Sequence, residues 1–119
     1  MSIPNEALQK LMQEIEARAI LSQQQLQIVK GQIGAKQRDI RLLQLTSREL
    51  DTLPESTKVY EGVGKMFVLE ELPVVQGRLE NEKKSIEGDI KDLEKKFRYF
   101  ETTFEKAQDN LNQILNQGR

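Results

Sequence analysis

Gly62, Gly64 and Lys65, in the stretch Val59–Phe67 "VYEGVGKMF", come nearer to a chemical motif than any other residues of this chain. Two glycines ahead of a lysine could cradle a phosphate, because bare backbone amides approach the anion closely and the ammonium adds charge. A nucleotide-binding loop also needs a glycine five residues before the Gly-Lys pair and a hydroxyl residue after it. Val59 and Met66 hold those places. The dinucleotide-binding spacing fails as well, since Phe67 stands where the third glycine belongs. The same residues make the tight turn of a β-hairpin, with Gly64 dividing "KVYEGV" from "KMFVLE", both rich in β-branched and aromatic residues.

Other chemistry finds no support. The sequence has no histidine and no cysteine, so the usual general base, nucleophile–base pairs, disulfides and thiolate metal sites are missing. Aspartate and glutamate are plentiful but lie among lysines and arginines, as on solvated helix flanks. No carboxylate cluster has the spacing, with its glycine, of a hard-cation loop. "EKKFRYFETTF" at Glu94–Phe104 interleaves basic and aromatic residues in the manner of a single-strand stacking surface. Helical periodicity puts Phe97, Phe100 and Phe104 on one stripe, so core packing is the better reading, and Tyr99 is left facing outward. We therefore expect no enzyme, no metal and no cofactor.

Composition points the same way. The chain has 119 residues, enough for one domain, with 31% charged residues, 5% aromatic residues and no tryptophan. Glu, Gln, Lys, Leu and Ile dominate, as in long helices and coiled coils. A net charge of −1 attracts neither nucleic acid nor an anionic membrane. No apolar run is long enough to cross a bilayer, and "MSIPNEALQK" lacks the apolar centre of a secretory leader. The expectation is a soluble protein of the cytoplasm, with the nucleus as a second compartment.

Two arms must position whatever the hairpin does. In the first, Leu8, Met12, Ile15, Ala19, Ser22, Leu26, Val29, Ile33, Lys36, Ile40 and Leu43 recur at alternating spacings of four and three. In the second, Leu79, Lys83, Ile86, Ile90, Leu93, Phe97, Phe100, Phe104, Ala107, Leu111 and Ile114 do the same. A spacing averaging about 3.5 residues is the seam of a left-handed coiled coil. The two series have equal numbers of steps, giving arms of roughly 55–65 Å at 1.5 Å per residue. A reversing connection makes them an antiparallel pair. One alignment sets Lys36 against Lys83; the other sets Ile40 against Ile86 and Ser22 against Phe104. We favour the second, which avoids opposed like charges and places a small residue beside a large one. Gly31, Gly34, Gly77 and Gly88 take outward heptad positions; Gly34 and Gly88 are candidates for softening the arms, or are simply tolerated at the surface.

The predicted organisation is therefore a first coiled-coil helix over 1–45, a short helix and hairpin over 46–71, and a second coiled-coil helix over 72–119. Thr46-x-x-Glu49 has capping-box spacing, so a helix should restart at Ser47 and stop by Leu53, ahead of Pro54. Glu70 or Glu71 should cap the second arm, with Pro73 in its first turn. A two-stranded hairpin is marginal in water by itself, and its free edges invite other strands. Tyr60, Val63, Met66, Phe67, Val68 and Leu69 lack a core within the chain, so they are the candidate subunit-assembly residues. At the free ends, Leu8, Leu11, Met12 and Ile15 come together with Leu111, Ile114 and Leu115. Leu11 and Leu115 widen the apolar stripe there. These seven are the candidate client-contact residues, with ordinary end packing as the alternative.

At this point the chain resembles the β-type subunits of the prefoldin family, whose layout is two coiled-coil helices around a β-hairpin. "YEGVGKMFVL" at Tyr60–Leu69, "LTSRELDTL" before it and "EKAQDNL" at Glu105–Leu111 carry the resemblance. It implies a hetero-hexamer of two α-type and four β-type chains whose hairpins form a double β-barrel platform. It also implies arms that hold unfolded proteins, notably actin and tubulin chains, and pass them to the cytosolic chaperonin without hydrolysing ATP. The alternative function is a coiled-coil scaffold or tether with no holdase activity.

Overall fold

The computed structural model describes residues 5–117. Helix α1 (Asn5–Asp51) leads to strands β1 (Lys58–Val63) and β2 (Met66–Glu71), and helix α2 (Leu72–Gln117) follows at once. Every residue of the two predicted seams, Leu8 to Leu43 and Leu79 to Ile114, is buried or half-buried. The seam also runs on through Ser47 and Leu50 in α1 and back to Leu72 in α2. Full burial falls to Ala19, Ser22, Val29, Ala107, Leu72 and Val75. The reason is geometric. A two-helix pair covers a seam side chain from one side only, so along the arms small residues disappear while Leu, Ile and Phe keep part of their surface in water. Leu72 and Val75 are buried where α2 meets the hairpin.

The residues divide into two compact units. One holds α1 up to Ile33 and α2 from Asp92 onward; the other is Gly34–Lys91 and includes the hairpin. In the first unit Ser22 lies in a groove with Phe100 and Thr103. In the second, Lys36 Nζ donates to Asp89 Oδ2 at 3.2 Å, and Gln76 Nε2 donates to Asp51 Oδ1 at 3.0 Å. Both sets of partners belong to the alignment that puts Ser22 by Phe104 and Ile40 by Ile86. With Lys36 against Lys83, Asp89 would sit about 9 Å further along the helix. Lys36 is only half-buried, so its ammonium reaches out of the seam to the carboxylate.

The link between helix and hairpin differs from expectation. No helix restarts at Ser47, because α1 continues unbroken to Asp51. Thr46 Oγ1 donates to the carbonyl of Leu42 at 2.9 Å, the back-bond of a threonine inside a helix, so the capping-box spacing is incidental. The helix ends where tightened bonds run from Thr52 N to Glu49 O and from Leu53 N to Leu50 O. Pro54 then forbids continuation, and its carbonyl accepts from Thr57 N at 2.9 Å to turn the chain into β1. Glu70 does not serve as a cap either: its carboxylate accepts from Arg78 Nη1.

The strands pair antiparallel, Val63 opposite Met66 and Lys58 opposite Glu71. Gly64 and Lys65 form the two-residue turn. Gly64 has φ of 62° and no other described residue has positive φ, as in a hairpin turn that needs glycine first and tolerates any residue second. A methyl group at Gly31, Gly77 or Gly88 would meet nothing within 4 Å, so these helical glycines leave no gap that packing requires.

Candidate functional site

The hairpin's two faces are unlike. Strand alternation puts Tyr60, Gly62, Phe67 and Leu69 on one face, with Tyr60 opposite Leu69 and Gly62 opposite Phe67. A Cβ at Gly62 would lie 3.8 Å from the Phe67 ring, so the aromatic covers the backbone the glycine leaves bare. That face is otherwise open, with Phe67 76% exposed. The other face carries Val59, Glu61, Val63, Met66, Val68 and Glu70. Its base is half-buried at Val59, Glu61 and Glu70, whereas Met66 near the turn is 72% exposed. All six residues predicted for subunit assembly are exposed: Tyr60, Val63, Met66, Phe67, Val68 and Leu69.

One arginine ties the hairpin to its helix. Arg78 Nη1 lies 2.6 Å from Glu61 Oε2 on β1 and 3.0 Å from Glu70 Oε2 on β2. Desolvation works against its charge, but the hydrogen bond and charge of Glu61, with those of Glu70, outweigh it and hold the guanidinium above its ordinary pKa. A single planar cation joining both strands fixes the hairpin's inward face against α2. The sequence reading missed this contact. Its signal was there: alternation sets Glu61 and Glu70 on one face beside Val59, two like charges that a cation between them would offset.

The residues predicted for client contact fall together in the first unit, from both chain ends. Leu8, Met12, Ile15, Leu111 and Ile114 are half-buried seam residues, while Leu11 and Leu115 are exposed beside it. Tyr99 is exposed as expected, its ring edge-on to Phe100 at a centroid distance of 5.4 Å. Among the described residues no group of three or more acidic side chains is placed to hold a metal. No helix among them is long and apolar enough to cross a membrane.

An apolar hairpin carried by two seam-paired helices is a fold that known proteins share. Residues 6–118 match the family described as "Prefoldin subunit". The chain belongs to the prefoldin family. Among its relatives is the probable prefoldin subunit 1 of Schizosaccharomyces pombe, 38% identical over 107 residues, covering 90% of this chain and 96% of that one. Human prefoldin subunit 1 is 35% identical over 108 residues, covering 91% and 88%. The crystal structure of the prefoldin beta subunit from Thermococcus strain KS-1 superposes with a TM-score of 0.83, covering 96% of each chain at 21% identity. That likeness gives the prefoldin β-type fold, including the uninterrupted helices and the single hairpin between them.

Proposed function

We propose that this chain is one β-type arm of a hexameric, ATP-independent co-chaperone. Its hairpin assembles with those of α-type and β-type subunits, and its helices hold unfolded polypeptides of the actin and tubulin class for the cytosolic chaperonin. The work is done in the cytoplasm, with the nucleus as a second compartment. The observation that carries the reading is the hairpin itself: six apolar side chains in regular strands, all exposed. Burying such side chains is worth about 1.5–3 kcal/mol each, so the six offer on the order of 10 kcal/mol. Association costs about 4–15 kcal/mol. One hairpin meeting one other could cover only one of the two faces on each, which favours a platform shared by several chains. Many weak apolar contacts from several arms would then add through effective concentration, suiting clients that change.

The tether alternative is favoured by one observation: five of the seven end residues are engaged in the seam. Leu11 and Leu115 separate the readings, because they are exposed and their loss leaves the seam intact. In assembled complexes, Leu11→Ser with Leu115→Ser should lower suppression of denatured actin aggregation several-fold, as expected when exposed apolar contacts supply the capture. Circular dichroism and complex size should not change. Undiminished suppression would leave the tether as the better account.

A further inference from the structure

Between Gly34 and Asp51, α1 carries an apolar surface that the seam does not use. Leu42 is 65% exposed and Leu45 49% exposed, while Ile40, Leu43 and Leu50 on the seam side are half-buried. Arg38 and Arg41 stand four residues before Leu42 and Leu45, and Arg48 stands three residues after Leu45, so all three are surface neighbours of the leucines. None of the salt bridges among the described residues uses these arginines. Four carboxylates lie near, on the flank and at the end of this surface. Asp39 lines the groove on the other flank of Leu42, together with Glu82 and Asp89. Glu49 closes the surface at the end of the helix.

The outward positions of α2 in the same unit show what an ordinary solvated flank looks like. From Asn81 to Lys91 the exposed outward residues Asn81, Lys84, Ser85, Gly88 and Lys91 include no large apolar side chain. Val74, in the first turn of the helix, is the exposed apolar residue of α2 in this unit. On α1 the corresponding surface pairs two exposed leucines with three arginines that enter none of the salt bridges among the described residues. A row of apolar side chains at helical spacing fits the side chains of another helix, and the arginines set the charge that helix must bring.

We propose that the Leu42–Leu45 surface of α1, with Arg38, Arg41 and Arg48, docks an acidic amphipathic helix of a partner protein. The partner presents a leucine-like stripe to Leu42 and Leu45 and aspartate or glutamate to the arginines. This site lies in the unit that holds the hairpin, so it is separate from the end residues assigned to client capture and does not depend on that assignment.

The test uses the full chain in complex with its partner subunits. The probe is a fluorescein-labelled helical peptide with leucines at heptad a and d positions and glutamates flanking them; its counterpart has lysines in place of the glutamates. The glutamate peptide should bind, more weakly as salt rises, and the lysine peptide should not. Arg38→Glu with Arg41→Glu and Arg48→Glu should weaken binding about tenfold or more, as should Leu42→Ser with Leu45→Ser. Both variants lie off the seam, so complex size and helix content should stay unchanged. Equal binding of the two peptides, unchanged binding to both variants, or stronger binding to phosphatidylserine vesicles than to the glutamate peptide would each overturn the proposal.

Discussion

Phe100 and Phe67 are both aromatic residues within regular secondary structure, yet Phe100 is half-buried in the helical seam and Phe67 stands 76% exposed above Gly62. The difference is one of backbone as much as of side chain. A helix satisfies its own amides and needs only one apolar stripe covered, which a second helix from the same chain can do. A two-stranded hairpin leaves an edge on each side and two faces to cover, more than its own chain can supply. Here one face is held at its base by Arg78 and the other is left open. The helices are thus a self-contained structure, while the hairpin keeps apolar side chains that nothing in its own chain covers.

The widest separation between the two regions should come from making the hairpin polar. Phe67→Ser with Met66→Ser removes the two most exposed apolar side chains of the strands and touches nothing in the seam. We expect loss of assembly, read as failure to co-purify with partner subunits, while helix content stays at the wild-type value. The unsubstituted chain alone should be poorly soluble or form non-native aggregates, because its strand edges are free. A stable monomer with an ordered hairpin, seen by light scattering and amide exchange, would mean that the hairpin is complete without neighbours.

The converse change attacks the self-contained part. Leu72 is 2% exposed where α2 leaves β2, and Leu72→Ala should cost about 2–4 kcal/mol from lost burial and the cavity left behind. Thermal unfolding followed at 222 nm would read it. A loss under about 1 kcal/mol would show that the site collapses freely, contrary to the close packing its burial indicates.

Much of this architecture is legible in the residues because periodicity is a direct record of which side a helix buries. The interrupted places of the seam, Ser22, Lys36 and Lys83, still point inward: Ser22 is buried and both lysines are half-buried. The alignment of the arms followed from like-charge avoidance and from matching a small residue to a large one. What escaped was local chemistry that depends on a third partner. Thr46-x-x-Glu49 reads as a cap by spacing, but the continued seam at Ser47 and Leu50 keeps the helix going. Glu70 reads as a cap by position, but Arg78, eight residues on, is the stronger partner. The end residues were legible as an apolar set; their division into engaged seam residues and the exposed Leu11 and Leu115 appears only in three dimensions.

Among the described residues Arg78 makes the one charged contact that joins helix and hairpin, and its loss should give the smallest and most local effect. Its side chain is 37% exposed, so solvent screens the pairs and their removal should shift global unfolding little. Arg78→Gln keeps a hydrogen-bond donor but removes the charge that neutralises Glu61 and Glu70 together. Amide exchange in β1 and β2 should then accelerate, while protection around Val29 and Ala107 stays as it was. Arg78→Lys should recover part of the protection, because an ammonium can reach one carboxylate but lacks the planar fork that serves two strands at once. Acceleration in both regions alike would mean that the arginine supports the whole fold. No acceleration in either would mean that packing at Val59 and Leu72, without the ion pairs, sets the hairpin's angle on its helix.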